Sequence, residues 1–422
     1  MQKKIFILTL VLTALACSLP YTRSPSSVML STTATPDIAT LVAQELTAAA
    51  PPRTDTATPT APEPVRVNLS VVYARAGNLV LWHDSGSSVN LTASGQDETP
   101  VISDDGQWIV FRRNAELYSI RSDGSDERQL ISQAYLDSFR TPDLSSVRLA
   151  AFDFVPASHD IFFSLVGETE AYPVSFDDLQ RVNVDSGAIS IILPAGTAGG
   201  AWTFSPDGQW LALAQSNQVR VLRPDGSDDR ILFSFKLVST YSEWFYFPQV
   251  VWRNDSAGFY TVIPASAILD NPSEPSRFYY IPLKGEVARL AEFRASPVWQ
   301  SFPYIAPNGI SVAYVQADVL RVIDASTADR VYTSAPGLSI LGWTPDSNQV
   351  VYRAEDPAAV SALAFGESAL LLSDAARFSA LGWVAQDRFL FLSAEELHLR
   401  QLPQASLLLE NGVTSYDFVL LR

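Results

Sequence analysis

The chain has 422 residues, 47% of them hydrophobic and 18% charged, which is enough to bury a large core and too apolar for a disordered chain. Its formal net charge of −16 sets it against phosphate backbones, so no nucleic-acid partner is expected. One Cys and three His allow neither a disulfide framework nor a His/Cys zinc site, and no metal or other cofactor is expected.

Residues 1–16 have the layout of an export signal. Lys3 and Lys4 form a positive start, and residues 5–15 are an apolar run too short to span a bilayer comfortably. The Ala14-Leu15-Ala16-Cys17 that follows resembles a bacterial lipobox, which implies a lipid on Cys17 and an extracytoplasmic protein anchored to the membrane. Ala14 stands where a lipobox usually has Leu. The alternative is therefore ordinary Ala-x-Ala cleavage after Ala16 and a secreted protein. Residues 17–64 are rich in Thr, Pro, Ala and Ser. Such a stretch buries too little apolar surface to offset its chain entropy, so it is expected to be a disordered tether.

From residue 65 to 422 the chain is β-rich and repetitive. Residues 103–128, SDDGQWIVFRRNAELYSIRSDGSDER, align without a gap on residues 205–230, SPDGQWLALAQSNQVRVLRPDGSDDR, at an offset of 102. In the second copy strand A covers 201–204, strand B 210–214, strand C 219–222 and strand D 231–233. The Asp207-Gly208 and Asp225-Gly226 turns separate A from B and C from D. Asp-Gly favours tight hairpins because Gly takes a positive φ cheaply and Asp bonds its neighbouring backbone. Weaker copies follow at Trp252, Tyr304, Trp343 and Trp383, a period of about 40–50 residues, as in propeller blades. The aromatic residue before each turn is assigned to packing between blades.

The Ser-Pro-Asp-Gly turn, the aromatic before it and the Asp-Gly turn after strand C resemble the repeats of TolB-like propellers. The resemblance implies an all-β propeller of four-stranded antiparallel blades and says little of function. The first unit, near residues 71–92, lacks a strand A, and residues 415–421 form a strand without a unit. Pairing the two would close the ring and leave no open edge. This makes eight blades, with seven as the alternative because the units over 133–193 and 357–374 are degenerate. The propeller is expected to be a monomer.

No Gly-x-Ser-x-Gly elbow occurs, and His83, His159 and His398 fall in three different units, so no nucleophile–base pair is indicated. His159 lies in a turn and is taken as a solvated turn residue. The adjacent acids Asp177-Asp178 and Glu395-Glu396 are taken as solvated loop surface, and the Asp123 and Asp225 loops as capped turns. The expected role is non-catalytic: a membrane-tethered module that binds a protein or a cell-envelope polymer. The alternative is an enzyme, or a ligand- or glycan-binding protein, that uses the central pocket. Long B–C and D–A links (133–146, 167–177, 234–247 and 264–277) should project from one face, where recognition usually resides. The candidate binding residues are Phe139, Arg140, Tyr172, Tyr241, Trp244, Tyr246 and Arg277.

Overall fold

The computed structural model describes residues 68–421 apart from 243, 327, 356–357 and 374–377. The export segment, Cys17 and the tether lie outside the described residues. The rest is a ring of eight antiparallel blades, so the expected β-propeller is found with the larger of the two blade counts.

The best-copied unit shows why the sequence makes a blade. In blade 4, Ala201–Phe204 is strand A, Leu211–Ala214 B, Gln218–Leu222 C and Arg230–Ser234 D, each paired with the next. At the A–B turn the Ser205 hydroxyl donates to Asp207 Oδ1 (2.6 Å) and accepts from the Trp210 amide (3.0 Å), while the same Asp207 oxygen accepts from the Gln209 amide. Gly208 sits there at φ +64°, and a Cβ on it would come within 2.7 Å of the Pro156 carbonyl in blade 3. Ser103, Asp105 and Trp108 repeat this turn in blade 2. At the C–D turns Asp123 and Asp225 accept from the Ser125 and Ser227 amides, each at 2.9 Å. The two serines' hydrogen bonds hold both carboxyls below their ordinary pKa.

Closure follows the expected composite design. Val413–Leu421 is strand A of blade 1 and pairs along its length with Asn68–Arg75, bringing Val71 opposite Phe418. Asn78–His83 and Ser88–Asn90 complete the blade. Each junction between neighbouring blades holds its own apolar cluster, and the eight clusters run round the ring. The expected packing role of the recurring aromatics is visible in blades 5 and 7. Trp252 Nε1 donates to the Thr203 carbonyl of blade 4, and Trp343 Nε1 to the Tyr304 carbonyl of blade 6. These rings therefore bury apolar area and satisfy their N–H across the junction.

Blade 3 departs from the plain meander. Its strands A and B, Ser146–Phe154 and Asp160–Glu168, outrun its strands C and D, and a short strand, Pro173–Ser175, folds back on strand B before strand C begins at Leu179. The 167–177 link, expected to be an irregular loop, is thus largely a protruding hairpin.

Candidate binding site on the loop face

The tight Asp-Gly turns occupy one end of the blades, and the long links leave from the other. The candidate residues fall into two groups there. The first stands on blades 2 and 3. Ser132 caps the short helix Gln133–Asp137 by accepting from the Tyr135 amide. Tyr135 on the helix meets Phe139, two residues beyond its end, at 5.3 Å between ring centroids, and Phe139 meets Phe176 edge-on at 6.3 Å. Phe139 is half-buried on the blade 2–3 core. Arg140 is exposed, but its Nε is engaged by the Leu144 carbonyl at 2.9 Å. Both residues brace the link. Tyr172, at the tip of the blade 3 hairpin, is 65% exposed.

Beneath this group lies a polar network. Asp178 is buried and accepts from the Leu165 amide (2.9 Å) and Gln180 Nε2 (2.6 Å), while the Tyr135 hydroxyl donates to Gln180 Oε1. Burial pushes the Asp178 pKa up, against the lowering effect of those two donors. This corrects the expectation that the Asp177-Asp178 pair is solvated surface. Asp178 supports the loop from inside, whereas Asp177 takes a hydrogen bond from Ser175 at the rim.

The second group is built by three links of blades 4 to 6: residues 235–249, 264–275 and 294–303. Tyr241 has φ +53°, a costly backbone conformation for a bulky side chain. Its hydroxyl explains what holds it: it donates to Asp270 Oδ2 (2.9 Å) and accepts from the Leu269 and Asp270 amides. The Thr240 hydroxyl donates to the Trp244 carbonyl at 2.7 Å and closes the turn. The Tyr241 ring meets Trp299 edge-on at 5.6 Å, and Trp244 meets Phe302 at 6.4 Å. Phe245, 60% exposed, and Phe247, Leu237 and Leu269 are further exposed apolar side chains on these links.

Two candidates prove to be supports. Tyr246 is 3% exposed, stacks on Phe302 and donates its hydroxyl to the Val262 carbonyl, so it anchors the loop and is not available to a partner. Burial raises its pKa. Arg277 is half-buried between Glu274 (3.5 Å) and Glu292 (3.3 Å). Glu274 in turn accepts from the amide and hydroxyl of Ser266. Although burial opposes ionisation of Glu274, Ser266 and Arg277 hold its pKa below the ordinary value. Trp299, Leu269 and Asp270 were not among the candidates. For Trp299 the available signal was the Trp299-Gln300-Ser301-Phe302 run in another D–A link, whereas nothing in the sequence sets Leu269 and Asp270 apart.

A space beneath this platform, lined by Val238, Pro264 and Trp299 among others, measures about 10 Å³, room for a single water.

The histidines have separate surroundings. His83 Nδ1 lies 2.9 Å from Ser70 Oγ, but the adjacent Asp84 carboxylate is engaged by Arg388, and Ser70 is buried. His398 lies against Glu396 and stacks on Phe391. His159, expected to be solvated, instead bridges two blades: its ring nitrogens lie 3.0 Å from Asp105 of blade 2 and 2.7 Å from Asp185 of blade 3. Burial works against its charge, but the two carboxylates prevail and raise its pKa.

No known family profile matches the chain, and no curated protein matches it in sequence. Solved structures do resemble it. The crystal structure of a eukaryotic initiation factor superposes with a TM-score of 0.51 at 9% identity, over 84% of this chain and 98% of that one. Dipeptidyl peptidase 4 from Porphyromonas gingivalis gives 0.48 at 15% identity, over 75% of this chain and 53% of that one. TolB from Acinetobacter baumannii gives 0.32 at 13% identity, over 63% of each. At such identities the likeness concerns the fold alone, and one fold of this kind carries unrelated activities.

Proposed function

We infer that this chain is a non-catalytic, extracytoplasmic propeller with TolB-like repeats, tethered to the membrane through a lipid on Cys17, and that it binds a protein partner with the rim of blades 4 to 6. The observation that carries the binding role is the platform of Tyr241, Trp244, Phe245, Phe247 and Trp299, drawn from separate links and exposed together. Several exposed aromatic rings on one rim of a folded domain cost solvation unless a partner covers them. Rings fixed in advance lose little entropy on binding, which suits them as interface anchors. The backbone cost at Tyr241, offset by three hydrogen bonds, supports a platform shaped before its partner arrives. The tether over residues 17–64 would let this rim reach a partner away from the membrane surface.

The test is a capture experiment from detergent-solubilised membranes with the wild type and a Trp244→Ala/Phe245→Ala variant. Both side chains are substantially exposed, so the variant should melt with the wild type. A protein retained by the wild type and lost from the variant supports the reading. Equal retention by a variant of unchanged stability overturns it.

A further inference from the structure

The face with the tight turns carries the same junction twice, closed in one place and open in the other. Between blades 2 and 3, Trp108 lies under Arg121 and Arg128, whose guanidinium carbons stand 4.2 and 5.7 Å from the ring centroid. His159 approaches that ring edge-on at 6.5 Å and joins Asp105 to Asp185. Between blades 4 and 5, Trp210 lies under Arg223 and Arg230 at 3.8 and 4.8 Å.

Strand register identifies what replaces the histidine plug. In blade 3, Asp160 pairs with Asn183 and the His159 carbonyl accepts from the Val184 amide. In blade 5, Gly258 pairs with Pro282 and the Ala257 carbonyl accepts from the Leu283 amide. Ala257 therefore occupies the place of His159, and Lys284 that of Asp185. The imidazole is gone, and an acid has become a base.

The result is a groove of about 780 Å³ whose walls include Trp210, Arg223, Arg230, Ala257, Tyr280 and Lys284. That volume suits a small molecule. Asp228 also lines it, 3.5 Å from Arg223. Arg230 donates to the Leu283 carbonyl at 3.3 Å, its one hydrogen bond among the described residues. Among the described residues Lys284 has no ion-pair partner and is exposed. Three cations thus face one acid, in a chain whose formal charge is −16.

We propose that the groove between blades 4 and 5 binds a small molecule that carries an oxyanion on a ring. Arg230 and Lys284 take the carboxylate, phosphate or sulfate, since a guanidinium fork matches an oxyanion's two oxygens. Tyr280 and the edge of Trp210 take the ring. This site is on the face opposite the aromatic rim and does not depend on it. Acidic sugars and nucleotides share this chemistry.

Calorimetric titration of the full chain with trigalacturonate and with adenosine monophosphate distinguishes the two sources, with the methyl-esterified trimer and adenosine as uncharged controls. One of the two anions should bind with a Kd below about 1 mM, and its uncharged control should not. Arg230→Gln and Lys284→Gln should each weaken binding about tenfold or more. The double variant Ala257→His/Lys284→Asp, which copies the closed junction, should abolish it. Lys284→Gln keeps the test decisive if Arg230→Gln fails to fold, because Lys284 is exposed and unpaired among the described residues. Absence of binding by both anions at about 5 mM, or binding undiminished in Lys284→Gln and in the plugged variant, overturns the proposal.

Discussion

Deleting residues 412–422 removes strand A of blade 1 and opens the ring at the point where it is closed. The lost strand is paired with Asn68–Arg75 at eight register positions. At about 1 kcal/mol net for each backbone hydrogen bond, and about one bond per position, the ladder alone contributes about 8 kcal/mol. The strand also ties both neighbouring blades. Tyr416 donates to the Leu390 carbonyl of blade 8, while the Ile102 amide of blade 2 donates to Asp417 and the Thr99 amide to Ser415. Loss of Val413 and Val419 from the two flanking clusters adds a few kcal/mol more. Against a total stability of about 5–15 kcal/mol this is most or all of the margin. The truncated chain should therefore lose its near-UV circular dichroism and its cooperative melt, and a synthetic peptide of residues 412–422 should restore part of both. A truncated protein that melts within about 2 °C of the full chain would refute this reasoning.

Three further outcomes follow from local geometry. His159→Gln should destabilise the protein most between about pH 4 and 6.5, the unfolded values of Asp and His. The imidazole pKa is raised in the fold, so its contribution is complete below the unfolded value and fades as pH rises through the folded one. The Asp105 pKa is lowered, because Ser103, the Gln107 amide and His159 outweigh its burial, so its share fades as pH falls through the folded value. Melting curves of both proteins from pH 3 to 9 check this, and a pH-independent gap would count against it. Gly77→Ala should cost more than Gly124→Ala in chemical denaturation. Both glycines have positive φ, worth about 1–2 kcal/mol for an alanine, but only at Gly77 would the new Cβ strike backbone, 2.1 Å from the Gly95 carbonyl oxygen. Metabolic labelling with a palmitate analogue should mark the wild type and not Cys17→Ser, and equal labelling would exclude the lipid anchor.

The blades were legible because their instructions are local. Ser205, Asp207 and Gly208 form a turn from bonds within six residues, and the 102-residue echo of that turn exposes the repeat. The composite first blade was legible for a different reason: a strand-poor start and a spare final strand have one economical solution. The platform was legible only in part. Tyr241 and Trp244 stand out in an aromatic run, but that run lies in an irregular link with no period to separate inward from outward side chains, and Tyr246 points into the core. Trp299 joins Tyr241 through a contact between distant segments. His159 was misread for the same reason, since one of its two carboxylate partners lies 54 residues away on another blade.

The central claim, that the aromatic rim of blades 4 to 6 meets a protein partner, is tested most directly by a photo-crosslinking residue placed at Phe245 and, in a separate protein, at Asp225 in the C–D turn of blade 4. Irradiation in intact cells should yield a discrete higher-mass adduct from position 245 and none from position 225. An adduct from position 225 alone, or none from position 245 in cells that carry the full-length protein, would contradict the account.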